Sequence, residues 1–295
     1  MSTVLTSTAA PAAARPPSRT RRFTQRVTSP WTYAALIAIL AGSAFPVYWS
    51  FVVSSQTPDA VGSVPPVLVP GGHLFENIAR VFDETNFGLA LANSLIVSGT
   101  ITLSVVLFST LAGFAFAKMR FRGRTVLLLL VVATQAIPTE LGVVPLYIMM
   151  ADFGWAGQLQ AVIVPGLVTA FGVFFMRQYF ERALPLELLE AGRMDGCGSL
   201  RLFWHVALPA ARPAAAVLGL FTFMQAWNDF FWPLVVLVPE NPTVQTALST
   251  LASGYTTDYT LVLTAATLGT IPVLVVFLLF GRQIVGGIMQ GALKG

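Results

Sequence analysis

Six stretches of this 295-residue chain are long, apolar and almost free of charge: Trp31–Val53, Leu89–Ala117, Thr125–Met150, Gln160–Met176, Ala214–Val238 and Tyr259–Gly281. At 1.5 Å of rise per residue, a helix of about 20 residues crosses a hydrocarbon core of about 30 Å. A backbone in that medium must satisfy its own hydrogen bonds, so the segments predict an all-α membrane protein of six transmembrane helices. Only 10% of the residues are charged and the mean hydropathy is +0.74, against roughly 25% charged in a soluble domain. Pro46, Pro138, Pro145, Pro165, Pro233 and Pro272 fall inside the spans. They would break helices in water but are tolerated where neighbouring helices re-satisfy the freed backbone groups, which predicts a kinked bundle.

Residues 1–28, rich in Ala, Pro, Ser, Thr and Arg, cannot repay the entropy of ordering and read as a disordered basic tail, leaving 29–295 as the membrane domain. Arginines ahead of an apolar run also suggest a cleaved signal peptide. Trp31–Val53 exceeds an h-region of about 7 to 15 residues, and five more spans follow, so the segment is read as a retained span.

Catalytic chemistry has little to stand on. Cys197 is the sole cysteine, and His73 and His205 lie far apart, so neither an intramolecular disulfide nor a metal-ligand cluster is expected. The two lysines, Lys118 and Lys294, follow Ala117 and Leu293, which excludes a Gly-Lys-Ser/Thr phosphate loop. If ATP drives this protein, another chain binds it. The nucleophile elbow and the zinc-protease helix are also missing from the sequence.

Charge placement sets the expected topology. With the N-terminus inside, sixteen of the seventeen basic residues fall on one side: Arg15, Arg19, Arg21, Arg22 and Arg26; Lys118, Arg120, Arg122 and Arg124; Arg177, Arg182, Arg193, Arg201 and Arg212; Arg282 and Lys294. Arg80 alone falls outside, among Asp59, Glu76, Asp83, Glu84, Asp152, Glu240 and Asp258. The positive-inside rule then predicts both termini in the cytoplasm of a multi-pass cell-membrane protein. The basic isoelectric point is read as topology, with no nucleic-acid partner. The outer loop, about 54–88, is expected to hold a helical piece around Phe75–Asp83.

The inner loop, 177–213, differs in kind. Pro185 suits a first helical turn, Glu187 and Glu190 lie toward the positive N-terminal end, and Gly196 is placed to end the helix. Ser199 is expected to cap a second short helix that Pro209 stops. Leu188, Ala191, Gly192 and Asp195 recur at i, i+3, i+4 and i+7, giving a face of mostly small side chains. Asp195 is opposed by the helix dipole at that end, so helix stability alone does not account for it.

The run Glu190-Ala191-Gly192, three residues, Gly196, nine residues, Val206-x-Leu208-Pro209 resembles the EAA loop of ABC importer permeases. It departs from the family pattern at Gly192 for Ala and Val206 for Ile. Asn93-Ser94, Phe116–Gly123, Pro145-Leu-Tyr147, Trp227–Pro233 and the terminal Gly291–Gly295 resemble the carbohydrate branch, the maltose-type second permease, over about residues 30–295. The resemblance implies a type I permease fold, no enzymatic activity, and no cofactor in this chain. It further implies a heterodimer with a homologous second permease, two nucleotide-binding ATPase subunits carrying ATP and magnesium, an extracytoplasmic sugar-binding protein, and a lipid surround. Glu190, Ala191, Gly192, Asp195, Gly196, Val206, Leu208 and Pro209 would then form the ATPase-coupling element. The tail Gly286–Ala292 is similar to permeases for cellobiose or other β-glucosides.

Glu140 and Asp229 are the charges expected inside spans, and such residues are functional candidates. Glu140 would face a water-filled cavity or mark the outer boundary. Asp229, with Trp227 and Asn228, would line a solute pathway or close a helix end by hydrogen bonding. An ion-coupled secondary carrier is the competing reading, although it would call for paired charges at broken helices near the midplane. An intramembrane enzyme would need a nucleophile-base pair or metal cluster within a span, and both histidines fall in loops.

Overall fold

A computed structural model describes residues 29–253 and 257–292, with backbone alone from 282 onward; the expected tail, 1–28, and Leu293–Gly295 lie outside the described residues. The principal helices are α1 (Pro30–Ser54), α2 (Leu74–Glu84), α3 (Phe87–Lys118), α4 (Arg124–Thr134), α5 (Val143–Asp152), α6 (Ala170–Ala183), α7 (Leu186–Met194), α8 (Ser199–Trp227), α9 (Phe231–Val236), α10 (Val244–Ala252) and α11 (Tyr259–Ala292). From Trp31 to Phe45 every side chain of α1 is exposed, as suits an apolar helix in lipid. From Pro46 onward the described residues form a separate packed unit.

Five of the expected spans are single apolar helical segments, and the third is not. It is α4 and α5, bent by 88° across the break at 135–142. Pro138 explains the position, because its ring clashes with the carbonyl four residues back and α4 ends at that residue, Thr134. The fifth span is also displaced. Its helix runs from Ser199 to Trp227, and the segment expected to continue it to Val238 separates as α9 after a break at Asn228–Phe230. Pro233 cannot share an unbroken helix with the carbonyl of Asp229 without the same clash. The fourth span, Gln160–Ala183, loosens at Val164–Gly166 before α6 begins behind the Thr169 cap.

Packing centres on α3. A Cβ built on Gly113 would lie 2.7 Å from the backbone nitrogen of Arg177, and one on Gly172 would lie 2.3 Å from Ser109 Oγ, so α3 and α6 approach through paired glycines. Small residues permit the close van der Waals contact that holds membrane helices together in the absence of a hydrophobic driving force. At one end, Phe114 meets Phe180 and Phe203 with centroids 5.8 Å apart in each pair, joining α3, α6 and α8. The other end is tied by polar contacts. Asn93 donates to Asn241 and to the Pro242 carbonyl, and Ser94 Oγ accepts the Val244 N–H.

Prolines leave carbonyls without helical donors, and side chains from other helices reach them. The Ala161 carbonyl, which Pro165 cannot serve, accepts the Trp232 indole N–H at 3.0 Å. The Gly269 carbonyl, one residue beyond the Leu268 carbonyl that Pro272 frees, accepts the Trp227 indole N–H at 3.1 Å, and Ser104 donates to the Leu167 carbonyl at the loosened fourth span. The Trp232 bond removes an unsatisfied group from an apolar setting, where it would cost several kcal/mol, roughly.

Helix α2, foreseen near Phe75–Asp83, is held to neighbouring elements by Asn77, whose amide donates to the carbonyls of Ser54 and Gln56. Arg80 on α2 accounts for its own exception to the charge pattern. It bonds Glu84 within its helix and reaches Asp258 at 2.8 Å ahead of α11. Burial alone would raise the Asp258 pKa. The hydrogen bonds from Thr260, Arg80 and the Leu261 N–H, with the Arg80 charge, outweigh burial and hold it below the ordinary value. A carboxylate depressed on folding stabilises the fold in full above its unfolded pKa of about 3.9 and loses that contribution as pH falls through the native value. Thermal melts of purified protein from neutral pH toward pH 3 should therefore show wild type losing its advantage over Asp258→Asn. An unchanged gap between the two across that range would contradict this account.

Candidate coupling elbow

Helix α7 and the start of α8 form an elbow at the end of the bundle that carries the Phe114 cluster. Pro185 stands just before α7, at the cap position, with the extended ψ that launches a helix. Leu189 is 1% exposed and Leu184 2%, and both join Phe180, Leu202 and Phe203 in the core, so α7 is anchored by its apolar side. Its end has the full double hydrogen bond of a Schellman turn. The Gly196 N–H bonds the Arg193 carbonyl at 3.0 Å, and the Cys197 N–H bonds that of Gly192 at 2.9 Å. Gly196 has φ +77°, a left-handed conformation that side chains resist.

The open side of α7 presents Leu188, Glu190, Ala191 and Asp195, all exposed. Gly192 departs from the expected face. It is half-buried, and a Cβ there would come 2.5 Å from Leu202 Cδ2. Three residues after Leu189 and four after Leu188, it sits where the buried and open sides meet, and its lack of a side chain lets α7 lie against α8. Asp195 is the C-cap residue.

Two expectations for the second arm are corrected. Gly198 occupies the cap position and Ser199 is the first helical residue, without a side-chain cap bond. Pro209 does not stop the helix. A wide π-type turn, Phe203–Ala207, places the Leu208 N–H on the Phe203 carbonyl, and Pro209 enters in the first turn of regular helix beyond it, where a missing N–H is tolerated. Val206 and Leu208 are half-buried against the core cluster and fix this arm, while Pro209 is exposed.

Around the elbow lie Lys118, Arg120, Arg122, Arg124, Arg177, Arg182, Arg193, Arg201 and Arg212. Glu181 holds two of them, Arg177 at 2.5 Å and Arg124 at 3.8 Å.

The pathway candidates separate in the structure. Trp227 is 2% exposed, in a second cluster with Phe87, Phe223 and Val244. Asn228 is exposed and donates to the Met224 carbonyl, closing α8. The Asp229 carboxylate accepts the backbone N–H groups of Phe231 and Trp232, an arrangement that starts α9. Glu140 is exposed on the turn Thr139–Gly142 between α4 and α5. Glu140 and Asp229 therefore sit at separate helix breaks.

The family model described as binding-protein-dependent transport system inner membrane component matches residues 105–288, from mid-α3 through most of α11 and including the whole elbow. This chain belongs to that family. The permease is 33% identical to the sn-glycerol-3-phosphate transport system permease protein UgpE of Yersinia pestis bv. Antiqua (strain Antiqua), over 83% of this chain and 90% of the relative. It is 30% identical to the arabinooligosaccharides transport system permease protein AraQ of Halalkalibacterium halodurans, over 92% of this chain and 100% of the relative. The lactose transport system permease protein LacG of Rhizobium radiobacter is 30% identical, over 89% of this chain and 95% of its own. A chain of a bacterial ABC transporter involved in the import of the acidic polysaccharide alginate has the same fold, with a TM-score of 0.75 and 25% identity, covering 86% of this chain and 95% of that one.

Sequence reading of this permease missed the residues that root the elbow. Leu189 and Leu202 belong to apolar runs like many others, and only the Gly192–Leu202 contact reveals their pairing. Because Gly196 needs its positive φ, Gly196→Val should cost about 1–3 kcal/mol of local stability, whereas Gly196→Asn, which tolerates that region, should remain near wild type. Limited proteolysis at the elbow provides the measurement, with equal susceptibility of the two variants as the contrary result.

Proposed function

We propose that this permease and a homologous second permease form the membrane pathway of an ATP-driven importer, and that the α7 elbow receives the mechanical input. The observation that carries this reading is the elbow itself. An anchored helix presents Glu190, Ala191 and Asp195 outward and ends in a fixed turn, inside the segment matched by the family model. Two nucleotide-binding subunits would bind ATP with magnesium, since this chain lacks the phosphate loop, and an extracytoplasmic binding protein would deliver the solute. Docking shifts the inward-open and outward-open populations only if the elbow contacts the two ATPase states differently. Clustering of basic residues at the elbow end supports a cytoplasmic elbow and cytoplasmic termini in the inner membrane.

For the solute, we infer a neutral sugar, an oligosaccharide or disaccharide, with cellobiose and other β-glucosides as first candidates. Relatives named for arabinooligosaccharides and lactose support a saccharide. The opposite end carries Asp59, Glu76, Asp83, Glu84, Asp152 and Glu240, and its Arg80 is already committed to Glu84 and Asp258. Such an end offers an anion no attraction and leaves a neutral solute unaffected, and against it stands the relative named for sn-glycerol-3-phosphate.

Coexpression with the partner subunits tests the assembly. The chain alone should hydrolyse no ATP, and the complete complex should couple hydrolysis to cellobiose uptake. Ala191→Trp, at an exposed position, should leave membrane insertion intact while abolishing uptake. Gradient-driven accumulation by the isolated chain would instead establish the ion-coupled carrier.

Orientation is tested at Cys197, which is half-buried in the elbow. An impermeant maleimide should label it after permeabilisation and not from outside intact cells. Labelling from outside would reverse the assigned topology.

A further inference from the structure

A cleft of about 410 Å³ opens where α3 gives way to α4, lined by Arg120, Phe121, Gly123, Arg124, Thr125 and Val126. The turn that shapes it is held on both sides. The Phe121 ring packs on Phe116 of α3 with centroids 5.8 Å apart, and Gly123 reverses the chain at φ +81°. The Arg124 guanidinium then donates back to the Met119 carbonyl at 3.4 Å. Both arginines of the cleft are therefore carried on a formed turn. Their charge is poorly balanced. Glu181 is the one carboxylate paired with this cluster among the described residues, and Arg177 and Arg124 share it. It does not fully satisfy even Arg177, whose Nε is buried without a partner. Lys118, Arg120 and Arg122 make no ion pair among the described residues.

The position of the cleft decides what fills it. On one flank α3 is apolar up to Ala117, and on the other Val126, Leu127, Leu129 and Leu130 of α4 are all exposed. A helix that opens on arginine and then turns leucines outward stands where hydrocarbon meets headgroups, with the charged ends at the polar level. The cleft thus combines a cationic mouth with an apolar wall that continues into the membrane, and an amphipathic anion complements both.

We propose that this cleft binds the phosphodiester headgroup of an anionic phospholipid in the leaflet at the elbow end. Arg120 and Arg124 present N–H groups to the phosphate oxygens, Thr125 offers a hydroxyl, and the acyl chains follow the exposed leucines of α4. Arg124 also reaches Glu181 of α6 at 3.8 Å, so a bound lipid braces α4 against the helix whose Phe180 enters the elbow core. The site is independent of the importer reading and requires only that the chain be embedded in a membrane.

The test titrates the full-length chain, in neutral detergent and again in complex with its ATPase subunits, with phosphatidylglycerol or phosphatidylcholine, and reads bound lipid by native mass spectrometry. Wild type should retain one phosphatidylglycerol under conditions that strip phosphatidylcholine. Arg120→Gln should weaken that retention about fivefold, the attraction of one arginine near an anionic surface. Adding Arg124→Gln should abolish the preference. Arg122→Gln removes the same charge from outside the cleft and should match wild type. Equal weakening by Arg122→Gln would reduce the effect to diffuse charge and overturn the site. Displacement of the lipid by inorganic phosphate would reassign the cleft to a free anion. A preference seen in the chain alone and lost in the complex would assign it to an acidic surface of the ATPase, and either result defeats the lipid site. Arg120 is exposed and unpaired, so its variant keeps the test valid even if loss of the Arg124 contact with Glu181 impairs folding.

Discussion

A carbonyl that loses its helical donor in an apolar medium must find another, and this requirement organises the packed unit. Pro165 frees the Ala161 carbonyl, and the indole that answers it, Trp232, sits in α9 beyond the break after Trp227. Trp227 bonds the Gly269 carbonyl, one residue beyond the Leu268 carbonyl that Pro272 frees. Two tryptophans separated by a few residues therefore tie the fourth and sixth spans to the two sides of one helix interruption.

Much of the architecture was legible because hydropathy and charge report directly on burial in lipid. The starts of the first, second and sixth spans, α2, and the turn at Gly196 all follow from local patterns. The bend at Pro138 and the displaced fifth span do not. A proline announces a freed carbonyl without revealing whether a neighbour will satisfy it and preserve the crossing, and only tertiary contact decides. Pro209 and Pro213 remain within α8, whereas Pro138 coincides with a right-angle turn. The elbow was legible as a motif, yet its orientation depended on Leu189 and on the contact between Gly192 and Leu202.

Charge is divided in a way that serves two purposes. Basic residues gather at the elbow end, where Glu181 pairs with Arg177 and Arg124 and leaves others available to solvent or partner surfaces. At the opposite end the arginine of α2 is spent in holding that helix to the start of α11. Its ion pair secures a surface element without adding free positive charge to an acidic end, so the topological asymmetry survives a structural need for one cation.

The bend in the third span bears on the bilayer itself. Eleven residues of α4 rise about 16 Å from Arg124, roughly half of a hydrocarbon core of about 30 Å. The chain then turns through 88°. Beside this stretch the permease offers the membrane half a column, a severe hydrophobic mismatch for a lipid shell of ordinary thickness. Glu140 falls at the top of that column. The bend therefore leaves about half of the thickness along this edge to be filled by something other than a straight crossing of this helix.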